Sequence, residues 1–202
     1  MQIKKDEVKN AIIKSGEKEF LEKGYEKASI RKIVKQAGTT IGNFYNYFNN
    51  KEALFEVLVK DEYDKFIYFI HNHDKIERPD YLWQISNPSK WRVVLSELLS
   101  KVVPNFGIGL IILLDCSEGT KFANCKNELV NLIKNHFIEH IEKYNKEYNS
   151  IEIGDIISEQ LIDGIIKILR NNNNPDLKHK LITEYILFYM IGTMGLIGNF
   201  NF

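Results

Sequence analysis

The stretch "TTIGNFYNYFNN", Thr39 to Asn50, sets four aromatic rings among threonines and asparagines. A core helix would exclude the carboxamides, and a solvated loop has no use for Phe44 and Phe48. Both needs are met by a short helix over about 40–47, packed on one side and wet on the other. Thr40 can cap it, its hydroxyl accepting a backbone N–H of the first turn. At about 100° per residue Phe44 and Phe48 face inward, while Asn43, Asn46 and Tyr47 face out with Tyr45 at the flank. Outward amides and phenols suit phosphate oxygens and base edges.

Working outward, the segment 29–36 places Ile30, Ile33, Val34 and Ala37 at i, i+3, i+4 and i+7, an inward helical stripe. Ser29 stands where an N-cap is needed, and Gly38 breaks the pattern. Two short helices joined by a glycine-containing turn predict a helix-turn-helix unit. A first helix over 5–23 carries Val8, Ile12 and Phe20 on one side and stops at Gly24, with Lys23 in its last turn. Further helices are expected over 51–73, 88–103, 105–117, 121–147, 154–171 and 176–198, about nine in all. Pro79, Pro88, Pro104 and Pro175 fall where these patterns stop or restart. Strand-like alternation is nearly absent. The predicted class is all-α, with a DNA-binding helix-turn-helix domain over 1–50 and a helical body over 51–202.

Charge is uneven under a net of zero. Residues 1–60 hold eleven Lys and one Arg against eight acids, a surplus of four that the rest of the chain cancels. A basic N-terminal third suits a polyanionic partner. Cys116 and Cys125 read as buried, reduced thiols, and "MQIKKDEVKN" has no signal-peptide pattern, so a cytoplasmic protein is expected. The longest apolar runs, Ile108–Leu114 and Ile186–Ile191, fall short of the roughly 20 residues that cross a bilayer, so no membrane span is expected. "FGIGL" lacks the third glycine and preceding strand of a dinucleotide loop, and no phosphate loop or Ser/His/Asp set is present. Neither a cofactor nor a catalytic group is predicted.

With these residues in register, "AIIKSGEKEFLEKGYEKASIRKIVKQAGTTIGNFYNYFNNKEALFEVLV" resembles the N-terminal domain of the tetracycline-repressor (TetR) family of bacterial transcriptional regulators. The matching positions are Phe20, Gly24-Tyr25, Ser29-Ile30, Ile33, Ala37-Gly38, Gly42, Tyr45, Phe48 and Lys51-Glu52. The resemblance implies a homodimeric repressor on double-stranded DNA, with two recognition helices in successive major grooves of a palindrome. Carried onto this chain, it has Thr40, Asn43 and Tyr47 contact bases or phosphates, and Tyr45 and Lys51 grip the backbone. Ser29 would cap the second helix and meet a phosphate, and Gly42 would permit close approach; Asn46 lies on the same wet side. Ile41 departs from the family's usual polar residue. It could meet a thymine methyl, or tuck inward with 44 and 48, and the shared stripe favours the inward placement. Asn49 stands where the family often has Pro.

The resemblance also implies a ligand-binding body. Tyr81, Trp83, Trp91, Phe106 and Phe122 frame its middle and suit core or a cavity for a small apolar or aromatic effector. Such a ligand would sit beside the far end of the fourth helix, near Phe66, Phe69 and Ile70, and against Trp91 or Phe106. The last two helices carry apolar stripes, Ile157, Leu161, Ile165 and Ile168, then Ile186, Tyr189, Met190, Thr193 and Leu196, expected to form the dimer interface. Gly192, Gly195 and Gly198 would let backbones approach. Two alternatives stand beside this: the same fold without an effector, and a zinc hydrolase using "HFIEH", with His136 and His140 as ligands and Glu139 as base. Against the latter, no third ligand is evident, and Leu129, Ile133 and Phe137 read as one stripe of an amphipathic helix. No metal is predicted.

Overall fold

The computed structural model describes residues 2–72, 92–93, 96–97, 107–145 and 152–197. Among these the chain forms eight helices and no strand: α1 (Gln2–Lys27), α2 (Ile30–Gln36), α3 (Ile41–Tyr45), α4 (Lys51–Asn72), α5 (Ile108–Asp115), α6 (Cys125–Tyr144), α7 (Glu152–Asn171) and α8 (Pro175–Ile197). The expected helix over 88–103 lies largely outside the described residues, although Arg92, Val93, Ser96 and Glu97 are helical. The class is all-α, as the periodicity indicated. No helix among the described residues is long and apolar enough to cross a membrane.

Two glycines punctuate the first three helices. Gly24 adopts φ 70°, ψ 166° and interrupts α1, and Gly38 adopts φ 66° after α2. Both lie in the left-handed region, which costs glycine least. The break at Gly24 redirects the Tyr25 N–H, which donates to the Cys116 carbonyl at 2.9 Å.

The contacts group the described chain into two compact units. The first comprises residues 1–69 with 107–126, and the second 70–106 with 127–202. These units follow packing: α4 and α5 share the core of the N-terminal helices. Phe20 on α1 meets Phe55 on α4 edge-on at 5.2 Å, and Phe122, just beyond α5, meets Tyr63 at 4.9 Å. At Gly109 α5 passes so close to α4 that an added Cβ would lie 2.9 Å from the Leu58 carbonyl oxygen. Ile111, Ile112, Leu113 and Leu114 are all buried there, as are Cys116 and Cys125.

In the second unit α7 packs against α8. The buried face of α7 is Gly154, Ser158, Ile162, Ile166 and Leu169. The stripe expected at an interface, Ile157, Leu161, Ile165 and Ile168, is half-buried beside it. Two expected interface residues are already used within the chain: Ile157 and Leu196 pack on buried Phe137 of α6.

Candidate nucleic-acid interface

A five-residue helix cannot hold itself together, since one turn fixes several dihedrals for a single hydrogen bond. α3 is held by its cap and its packing. The Thr40 hydroxyl accepts the Asn43 N–H at 3.2 Å, as expected of an N-cap. Phe44 is fully buried and Phe48 is 3% exposed, their rings 5.5 Å apart. The opposite side is wet. Thr40, Ile41, Gly42, Asn43, Tyr45 and Asn46 are all exposed.

The exposed carboxamides are ordered by their neighbours. Asn43 Nδ2 donates to Thr39 Oγ1 at 3.0 Å, and Asn46 Nδ2 donates to Asn43 Oδ1 at 3.4 Å. Each carboxamide keeps spare hydrogen-bonding capacity beyond this chain of bonds. At Gly42 an added Cβ would meet only Thr40 Oγ1, 3.9 Å away. Nothing among the described residues demands a glycine there.

Three expectations are corrected. Ile41 is 41% exposed, so it does not tuck inward with Phe44 and Phe48. Tyr45 is 53% exposed while Tyr47 is half-buried, which exchanges their expected places. The reason is that α3 ends at Tyr45, so position 47 no longer follows the 100° wheel. Ser29 occupies the N-cap position of α2 but makes no side-chain cap bond. Its backbone N–H instead donates at 3.2 Å to Glu19 Oε1, a carboxylate 1% exposed. A sequence signal for Glu19 existed: it is an acid on the same inward stripe as Ile12, Gly16 and Phe20.

Lys51, expected to grip the DNA backbone, is engaged within the protein. Its ammonium donates to the carbonyls of Tyr25, Glu26 (3.2 Å) and Ala28 (3.1 Å), and stands 4.3 Å over the Tyr25 ring. Burial pushes it below the ordinary lysine value, opposed by the Glu26 carboxylate. An ammonium has three protons, and here all three are committed to the turn that ends α1. A phosphate contact would require giving one up. No sequence pattern announces this bond set, because only the fold brings 51 to 25–28.

Of the residues expected to line a ligand site, Phe66 is buried. The side chains of Phe69 and Ile70, and all of Trp91 and Phe106, lie outside the described residues.

Residues 12–58 match the family described as bacterial regulatory proteins, tetR family. Residues 12–58 are thus a TetR-type N-terminal domain. Among curated relatives, the uncharacterised helix-turn-helix regulator YdgC of Bacillus subtilis (strain 168) is 39% identical over 61 residues, 30% of this chain. YvdT of the same organism, likewise an uncharacterised helix-turn-helix regulator, is 52% identical over 40 residues, 20% of this chain. The matched stretches span 31% and 21% of those relatives' lengths, so the chain matches only a minor part of each. The fold of a TetR-family regulator from Chloroflexus aurantiacus J-10-FL is similar at a TM-score of 0.50 and 16% identity, over 96% of this chain and 89% of that one. The zinc-hydrolase alternative finds no support. Phe137 of "HFIEH" is buried on α6, the His140 side chain lies outside the described residues, and no metal-binding group of three His, Cys, Asp or Glu occurs among the described residues.

Proposed function

We propose that the chain is a DNA-binding transcriptional repressor. It acts in the cytoplasm as a homodimer on a palindromic operator and is released by a small apolar or aromatic effector. The observation that carries this is α3: a capped helix with a fully buried ring on one side and ordered carboxamides on the other. Thr40, Gly42, Asn43, Tyr45 and Asn46 are proposed to face the groove, with Tyr47 and Ser29 at its edge. On α2, Arg31, Lys32 and Lys35 are exposed cations suited to phosphate. The functional division remains a reading headpiece over 1–50 and a dimerising, ligand-binding body over 51–202.

Selection from random duplexes, followed by gel shift, tests the reading. The selected duplex should lose about a thousandfold or more in affinity between 50 and 200 mM salt, through release of condensed counterions. Tyr45→Ala should weaken binding to every sequence, whereas Asn43→Ala should change base preference. A protein that selects no sequence and binds no duplex at low salt would sink the proposal.

The dimer is argued from what one chain leaves uncovered on α7 and α8. Leu161, Ile165, Ile168, Ile186, Tyr189, Met190 and Thr193 are half-buried. Phe188 beside them is 71% exposed. An open groove lined by Gly164, Lys167, Ile168, Tyr185 and Tyr189 runs along this side, and among the described residues nothing approaches within 4 Å of a Cβ added at Gly192 or Gly195. A second copy would cover this surface by two-fold symmetry. Light scattering should give twice the 23.6 kDa chain mass at micromolar concentration; a 23.6 kDa species would refute it.

For the effector, α4 offers a lever of 22 residues, about 33 Å at 1.5 Å per residue. A ligand near its far end, where Phe66, Phe69, Ile70, Trp91 and Phe106 were expected to gather, would act by binding the DNA-incompetent form more tightly. The effector-free alternative differs in one respect: no apolar or aromatic compound would release the DNA.

A further inference from the structure

Ile41 opens α3 with its side chain in water, 41% exposed between exposed Thr40 and Gly42. Tyr45, one turn on and on the same side, is 53% exposed. A single exposed isoleucine is ordinary on a protein surface. This one lies on the polar face that the proposed function puts into the major groove, where the choice of partner is narrow. Base edges there present donors and acceptors, and among the unmodified bases thymine alone adds an apolar C5-methyl group. An alkyl side chain set against a donor or acceptor strips water from it and returns no hydrogen bond. Set against a thymine methyl, it buries two apolar surfaces together. The discrimination therefore has an attractive part and a repulsive part.

We propose that Ile41 is a specificity-determining residue that reads the C5-methyl of one thymine in each operator half-site. The inference rests on the DNA-binding reading and deepens it by naming a base. Asn43 reads separately, because its carboxamide is held by Thr39 and Asn46 and needs a hydrogen-bonding edge. The two side chains thus provide independent signals in one experiment.

The test uses the full-length protein and duplexes selected from a random library, resynthesised with deoxyuridine in place of each thymine in turn. That replacement removes the methyl and leaves the base pairing intact. One thymine per half-site should show a loss of about fourfold in wild-type affinity, the equilibrium worth of burying one methyl-sized group. Ile41→Ala should bind the thymine and deoxyuridine duplexes alike, Ile41→Val should keep most of the difference, and Asn43→Ala should leave it in place. Circular dichroism checks that the variants fold, which the exposure of position 41 favours. If every deoxyuridine duplex binds wild type as well as its thymine parent, or if Ile41→Ala keeps the difference, Ile41 does not read thymine although DNA binding stands. If no duplex binds at all, both readings fall.

Discussion

Phe44→Ala should cost about 3–5 kcal/mol of folding stability, the usual range for truncating a buried phenylalanine, and abolish sequence-specific DNA binding. Phe44 is fully buried, with the Phe48 and Tyr45 rings 5.5 and 5.4 Å away. α3 has only five residues, so tertiary packing rather than helix propensity keeps it formed. Losing the ring unmoors the surface that carries Asn43 and Asn46. Urea unfolding should show a lowered midpoint, and gel shift a loss of about a hundredfold or more, each 1.4 kcal/mol of misplacement being worth a factor of ten. Phe44→Leu should fall between. An Ala variant with wild-type stability and affinity would show that α3 is held by something other than this ring.

Lys51→Met should lower stability by about 1.5–3 kcal/mol without changing the salt dependence of DNA binding. Methionine keeps an unbranched stem but leaves the carbonyls of Tyr25, Glu26 and Ala28 without the ammonium that now serves them. Hydrogen bonds to a charged group are each worth about 1.5–3 kcal/mol. The cost of holding the ammonium out of water offsets part of the set, which is why the sum is not threefold larger. A lysine that gripped phosphate would behave differently, reducing the slope of log affinity against log salt by about one. Thermal melting and a salt titration on the same variant separate the two roles. An unchanged melting temperature with a reduced slope would show the phosphate contact instead.

The positions that read well from the sequence were those decided by local pattern. The stripe of Ile33 and Val34, the breaks at Gly24 and Gly38, the Thr40 cap and the inward turn of Phe44 each follow from spacing or from one residue's backbone preference. The errors came where chain distant in sequence supplies the partner or where an element ends early. Ser29 was a sound N-cap by type, but Glu19, ten residues away, answers the N–H of the Ser29 position. Tyr47 was placed by a helical wheel that stops two residues before it. Ile41 fits the stripe of Phe44 and Phe48 in sequence, yet lies outside the packed side. On α7 the apolar residues are numerous enough to make two stripes, and periodicity alone does not say which faces its own chain. The buried one proved to be Gly154, Ser158, Ile162, Ile166 and Leu169.

The strap formed by α5 and the turn after it bears on how such a protein can be recombined. It is fastened to the N-terminal helices by the Tyr25–Cys116 backbone bond, by the ion pair of Lys121 with Glu56 at 2.8 Å and by the Tyr63–Phe122 ring contact. A chimaera cut after Asn50 would divide a shared core, and one cut after Phe69 would discard the segment that meets Phe55 through Phe122. The transplantable piece is consequently discontinuous: a different body has to be spliced between 69 and 107 and again beyond 126, leaving the strap in place. Exchanging only the outward residues of α3 avoids both cuts, so altered operator choice is more accessible here by point substitution than by grafting.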